Sequence, residues 1–179
     1  STGNLISKIS DISKNKKGLN FIGVEPALGF EKLFWKNISD IDNGNHSFQL
    51  IQEQIQNIDF EECDLILSYY TMQFIHPKFR QIIFDKIYSS LNWGGGFFLF
   101  EKVRGKDARF QEMINIAYLE YKNSIGYSAN EIYSKMLSLK GVLEPFTSQE
   151  NYNFLERAGF RDYTTIAKNL SFEGILAIK

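Results

Sequence analysis

The sequence is poor in the features that mark extracellular, membrane-spanning or nucleic-acid-binding proteins. One cysteine in 179 residues excludes an internal disulfide. Cys63 sits beside the apolar run Leu65-Ile66-Leu67 and reads as a small buried thiol, with no histidine near it in sequence to activate it. No apolar run approaches the length of a membrane span, and the N-terminus lacks the charged-then-apolar plan of a signal peptide, so a cytoplasmic protein is expected. Lys+Arg 20 against Asp+Glu 21 leaves a formal net charge of -1, which provides no general attraction for a phosphate backbone. Lys14, Lys16 and Lys17 form the only dense basic cluster and read as a solvated loop rather than a nucleic-acid patch. There is no internal repeat, low-complexity stretch or linker, and no metal-ligand set is expected.

What is present suits a folded α/β domain. An apolar fraction of 44% with 15% aromatic residues can bury enough surface to offset the ordering entropy, and this length fits one domain, 1–179. Ser1 to Asn4 offer N-capping residues for a helix with its apolar stripe at Leu5, Ile6, Ile9 and Ile12. Gly18 stops it, and Leu19 to Val24 reads as a buried strand running into Glu25-Pro26. A helical stripe at Phe30, Leu33, Phe34 and Ile38 follows, then strands at Phe48 to Ile51 and Asp64 to Tyr69. Phe79 to Leu91 has helical spacing, and Asn92-Trp93-Gly94-Gly95-Gly96 reads as a turn into the strand Phe97 to Phe100. Two helices, Arg109 to Ser124 and Ala129 to Leu139, form a helical cap insertion over 105–145. A short helix, Asn151 to Ala158, precedes two strands, Phe160 to Ile166 and Gly174 to Ile178, joined as an antiparallel hairpin. This order predicts a mainly parallel sheet covered on both faces, with the hairpin adding an antiparallel strand.

In open α/β sheets ligands bind beyond the carboxyl ends of the strands, where an acidic residue can accept hydrogen bonds from both ribose hydroxyls. Glu25 fits that position. Gly3, just before a helix, is where a backbone can approach a bound ligand closely, and the free N–H groups there favour an anion. A dinucleotide-type fingerprint would need further glycines upstream. The central strand of such a sheet would lie there too, and without it two neighbours keep unpaired edges. A first strand and glycine loop are therefore expected to precede Ser1 in the natural protein.

The run Tyr70-Thr71-Met72-Gln73-Phe74-Ile75, the segment Phe84 to Gly95, Glu101-Lys102, Gly126-Tyr127-Ser128, Glu131-Ile132 and Ala158-Gly159-Phe160 resemble, in order, the carboxy-S-adenosyl-L-methionine synthases that serve tRNA wobble-uridine modification. These belong to the class I methyltransferase fold. The resemblance is strongest from Asp64 to Phe160 and implies a Rossmann-like sheet and S-adenosyl-L-methionine as cofactor. It also implies that Ser1, Thr2 and Gly3 are the tail of a glycine loop facing the methionine part. By the same resemblance Glu25, next to Pro26, holds the ribose, and Gln54 and Ile55 stand beside the adenine, where the family has an acidic residue before Ile. Ser68, Tyr69 and Tyr70 lie beneath the sulfonium.

Two departures bear on function. Tyr69 replaces the family's usual Asn. Met136 stands where the family carries an Arg that is thought to grip the extra carboxylate of the carboxylated cofactor. A guanidinium's paired donors give charge-assisted bonds worth several kcal/mol together, and neighbouring Lys135 lacks that fork. The leading expectation is thus a methyltransferase using ordinary S-adenosylmethionine on a small-molecule or carrier-bound acceptor. A carboxylated-cofactor synthase and a non-catalytic scaffold are the alternatives, and a homodimer is compatible with all three.

Transfer from a sulfonium is driven largely by in-line positioning, so no catalytic motif is obligatory; where the acceptor carries a proton, a base helps. Tyr69, Tyr70, His76, Glu101 and Tyr127 are the candidates. His76, before Pro77, also suits a helix cap. Phe110, Tyr118, Tyr121 and Tyr133 read chiefly as packing, whereas Tyr127, in a loop, could wall the acceptor pocket.

Overall fold

The computed structural model describes residues 2–41 and 44–179. They form two compact units, Ser1–Asp59 and Phe60–Lys179. Among the described residues no helix is long and apolar enough to cross a membrane.

The first unit contains α1 (Asn4–Ile12), β1 (Leu19–Val24), α2 (Glu31–Ser39) and β2 (His46–Ile51). The two strands pair in parallel with Leu19 opposite His46 and Val24 opposite Ile51. Its core is the apolar face of α2, where Phe34 and Ile38 are buried. Phe34 explains two glycines: a Cβ on Gly3 or on Gly23 would stand 2.9 Å from its ring, inside van der Waals contact. The capping expectation is corrected here. Gly3, with φ 77, is the N-cap of α1 and makes no side-chain cap bond. The amide of Asn37 on α2 instead ties the segment down, donating to the Thr2 carbonyl and to Asn4 Oδ1, both at 2.8 Å. The apolar stripe of α1 also stops short, since Ile12 is 82% exposed.

The second unit runs β3 (Cys63–Tyr69), α3 (Pro77–Ser90), β4 (Leu91–Lys102), α4 (Ala108–Ser124), α5 (Ala129–Leu139), α6 (Ser148–Ala158), β5 (Asp162–Asn169) and β6 (Phe172–Ile178). Its sheet has the order β3-β4-β6-β5. β3 and β4 are parallel, while β6 pairs antiparallel with both β4 and β5. Of the four strand pairings in the two units, half are parallel, so the antiparallel share exceeds the sequence expectation.

Alternation along β4 sends Phe97 and Leu99 inward, as one buried sheet face requires. Ile83, Phe84 and Ile87 of α3 and Leu155 of α6 are buried as well. Phe84 stacks on Phe154 at 5.2 Å between centroids and meets Phe97 edge-on at 5.8 Å, the arrangements that aromatic quadrupoles favour. α5 and α6 each start with a complete capping box, Ser128 with Glu131 and Thr147 with Glu150, which satisfies the first N–H groups of each helix. The expected turn at Asn92 to Gly96 lies instead within β4. The register jumps there, from Cys63 opposite Leu91 to Leu65 opposite Gly96. The glycines find partners at the end of the chain, Gly94 N–H donating to the Lys179 carbonyl at 2.8 Å and Lys179 N–H to the Gly95 carbonyl at 3.1 Å.

Leu155 is fully buried, whereas Ile82, on the other face of α3, is 51% exposed. Leu155→Ala should lower unfolding free energy by about 2–5 kcal/mol and Ile82→Ala by roughly 0.5 kcal/mol. Urea denaturation followed by circular dichroism measures both.

Candidate functional site

In the first unit the parallel register brings two chain segments side by side at the carboxyl ends of β1 and β2. Glu25 N–H donates to the Ile51 carbonyl at 3.0 Å, so Glu25 and Gln52 are neighbours just past the paired strands. One Glu25 carboxylate oxygen, Oε1, accepts from Ala27 N–H at 3.0 Å, which fixes the turn through Pro26. Gln52 Nε2 is buried with no hydrogen-bond partner. A buried unpaired amide donor costs free energy unless a ligand or water completes it. Gln54 lies in the following loop, where its carbonyl accepts from the side-chain amide of Gln56; Ile55 begins a single turn, Ile55–Asn57. The side-chain carbonyl of Gln54, a residue expected beside the adenine, is thus engaged within the loop. Thr2 and Gly3 precede α1 as expected, and Gly3 is in contact range of Phe34. Ser1 lies outside the described residues.

In the second unit the carboxyl end of β3 carries Ser68, Tyr69 and Tyr70. Ser68 is buried and its hydroxyl has no partner. Tyr69 is exposed on one side and packs against Tyr70 at 4.6 Å and Phe100 at 5.5 Å between centroids. Tyr70 adopts φ 55, a left-handed conformation costly for a residue with a side chain unless its surroundings enforce it. Its ring meets Phe172 edge-on at 5.6 Å, and Phe172 in turn meets Tyr118 of α4 at 5.4 Å. Burial first, then the neighbouring Tyr69, Glu101 and Tyr118, push the Tyr70 phenol above its ordinary value, so at neutral pH it is a hydrogen-bond donor rather than a base.

The other candidates fall in different settings. His76 is the N-cap of α3, its Nδ1 accepting from Lys78 N–H at 3.2 Å. Tyr127, between α4 and α5, is half exposed, and Met136 lies on α5, also half exposed. Glu101 does not face solvent at the strand end. It is 4% exposed, and its Oε1 accepts from Met72 N–H at 3.0 Å. Strand alternation was the signal for this placement, because Glu101 shares the inward face of β4 with Phe97 and Leu99. Burial, only partly offset by backbone N–H groups of Met72, Gln73 and Thr71 and by Arg80, raises its carboxyl to about 8. Past the end of β4, Lys102, Arg104, Gln111, Glu144 and Phe146 help to wall an open cavity of about 510 Å³. Among the described residues no cluster of His, Cys, Asp or Glu could hold a metal ion.

No family model matches the chain. Among solved structures it superposes on an O-methyltransferase family 2 protein from Planctomyces limnophilus, solved with apigenin, with a TM-score of 0.67 at 15% identity, covering 100% of this chain and 48% of that one. Human N-acetylserotonin methyltransferase, solved with SAM, gives a TM-score of 0.61 at 18% identity over 99% of this chain and 45% of that one. The fold is the Rossmann-like fold of the class I methyltransferases. In sequence, the chain is 35% identical over 179 residues to a carboxy-S-adenosyl-L-methionine synthase of Staphylococcus epidermidis, covering 100% of this chain and 75% of the relative. It is 43% identical over 121 residues to the synthase of Campylobacter jejuni, covering 68% of this chain and 52% of the relative. The chain belongs to the carboxy-S-adenosyl-L-methionine synthase family. It spans about half the length of the two solved structures.

The residues present suit an adenosyl ligand in each unit taken by itself. Glu25 and the orphaned Gln52 amide supply an acceptor and a donor at one strand end, and the orphaned Ser68 hydroxyl supplies both at another. Gln52 carried no sequence signal, since the periodicity of β2 ends at Ile51.

A carboxyl that titrates at about 8 in the fold and near 4.5 when exposed favours the folded state in its neutral form. That contribution is complete below about pH 4.5 and is lost as pH rises through about 8. Thermal unfolding midpoints of the wild type should therefore fall more between pH 5 and 9 than those of Glu101→Gln, whose side chain cannot ionise. Parallel profiles for the two proteins would contradict this.

Proposed function

We propose that this chain is the cofactor-binding part of an enzyme that transfers the methyl group of S-adenosylmethionine to a small-molecule or carrier-bound acceptor. Family membership supports the cofactor, and Met136 is the observation on which the preference for ordinary methyl transfer over carboxylated-cofactor synthesis rests. On α5 the exposed neighbours of Met136 include Tyr133 and Leu137, and only Lys135 beside it carries positive charge, so the position lacks the planar fork that a bound carboxylate would use. In the first unit, taken by itself, Glu25 would hold the ribose and Gln52 would donate to the adenosyl group; in the second unit, taken by itself, Tyr69 and Tyr70 would offer an aromatic surface to a sulfonium. The sulfonium supplies an already activated methyl; the protein's part is to orient the acceptor and exclude water. Tyr127 would border the acceptor. His76, with the Nδ1 lone pair given to the helix cap, would carry its proton on Nε2 and serve as a hydrogen-bond donor rather than as the base.

A second reading, synthesis of carboxy-S-adenosyl-L-methionine, is supported by the 35% identity across the whole chain to a protein of that name. Calorimetry on the full-length protein separates the readings. S-adenosylmethionine should bind more tightly than the carboxylated form, Glu25→Ala should weaken S-adenosylmethionine roughly tenfold or more, and Met136→Arg should improve binding of the carboxylated form. Tighter wild-type binding of the carboxylated form would establish the second reading instead. Binding of neither would leave the fold as a scaffold.

A further inference from the structure

The turn that carries Tyr70 is gripped from beneath by three successive residues of β4. The Phe100 carbonyl accepts from Tyr70 N–H at 2.7 Å, Glu101 Oε1 accepts from Met72 N–H at 3.0 Å, and Lys102 N–H donates to Gln73 Oε1 at 2.7 Å. Glu101 and Gln73 are both buried. From α3, the buried Arg80 guanidinium donates to the Ile75 carbonyl at 2.8 Å and to the Glu144 carbonyl at 2.8 Å. The Glu144 N–H donates in turn to the Gln73 carbonyl at 2.9 Å. The left-handed backbone of Tyr70 is thus enforced by contacts two and three residues further on, and such strain persists only where the surroundings over-determine it.

We propose that Glu101 is a positioning residue: its carboxyl, through Met72 N–H, holds the Tyr70 backbone in its left-handed conformation and so sets the orientation of the Tyr69–Tyr70 pair against the bound cofactor. This rests on the reading of Tyr69–Tyr70 as part of the cofactor site. Its neighbours make the hold sensitive to pH. Arg80 favours the ionised carboxylate, and the Tyr70 phenol is the other titrating group acting with it in the turn; Glu144 and Glu150 act on Arg80. Burial outweighs these and keeps the carboxyl neutral at pH 7. Ionising it strengthens the hydrogen bonds from Met72, Gln73 and Thr71 but leaves a charge closed off from water, a larger burial cost that opening the turn to water relieves.

The test uses the full-length protein with S-adenosylmethionine as probe, calorimetry at pH 7 and pH 9, and hydrogen exchange of the 70–75 segment. Wild-type affinity should fall by up to about tenfold between the two pH values. Glu101→Gln, which keeps an acceptor oxygen but cannot ionise, should bind within a few-fold of wild type at pH 7 and lose the fall. Glu101→Ala should bind weakly at both and lose exchange protection at Met72 and its neighbours, while β6 stays protected. A Glu101→Gln profile that still falls like the wild type, or Glu101→Ala with unchanged affinity and protection, would overturn the proposal. If the wild type binds no S-adenosylmethionine, the cofactor reading fails, and the exchange pattern of Glu101→Ala still decides whether Glu101 holds the Tyr70 turn.

Discussion

The buried hydrogen bond from Met72 N–H to Glu101 organises the second unit at the point where chemistry is expected. A strand normally ends by releasing its chain to solvent. Here the residues after β3 are drawn back under the sheet, because Glu101 and Gln73 are buried polar groups that must be paired. The backbone N–H of Met72 satisfies the first, and the backbone N–H of Lys102 satisfies the second. Arg80 closes the arrangement by linking α3 to the same turn and to the segment at Glu144, with its guanidinium over the Phe146 ring at 4.3 Å. One polar cluster therefore joins β4, the turn, α3 and the wall of the adjoining cavity.

This arrangement depends on β4 being an inner strand of its sheet. β4 lies between parallel β3 and antiparallel β6, so its backbone has partners on both sides along Gly96 to Phe100. A strand held in this way can present Glu101 inward at a fixed depth. The aromatic chain from Tyr69 through Tyr70 and Phe172 to Tyr118 then links the end of β3 to α4. Lys122 stands over the Tyr118 ring at 4.5 Å, a contact between residues one helical turn apart.

Family membership and the individual residues carry different weights. Whole-chain identity to a named synthase establishes descent and fold. Met136 on α5 is a separate matter: a methionine offers no hydrogen-bond donor, and on the proposed reading that bears on whether an additional carboxylate could be held there. Fold and activity separate in this way whenever specificity resides in a few side chains on a shared scaffold.

Periodicity determined most of the elements: β1 as Leu19 to Val24 and α5 as Ala129 to Leu139 coincide with the sequence reading, because an apolar stripe or run has only one way to face a core. The motif residues likewise located the strand ends at Glu25 and at Ser68 to Tyr70. What the sequence could not supply were partners distant along the chain. Gly3 is a glycine because Phe34 packs onto it. The glycine run at Gly94 to Gly96 belongs to β4 because Lys179 pairs with it, and Glu101, a candidate base from its position, is turned inward to a backbone N–H. Each of these was decided by a contact between residues 29 or more apart, which local patterning does not encode, and each became visible only when the tertiary fold brought the two partners together.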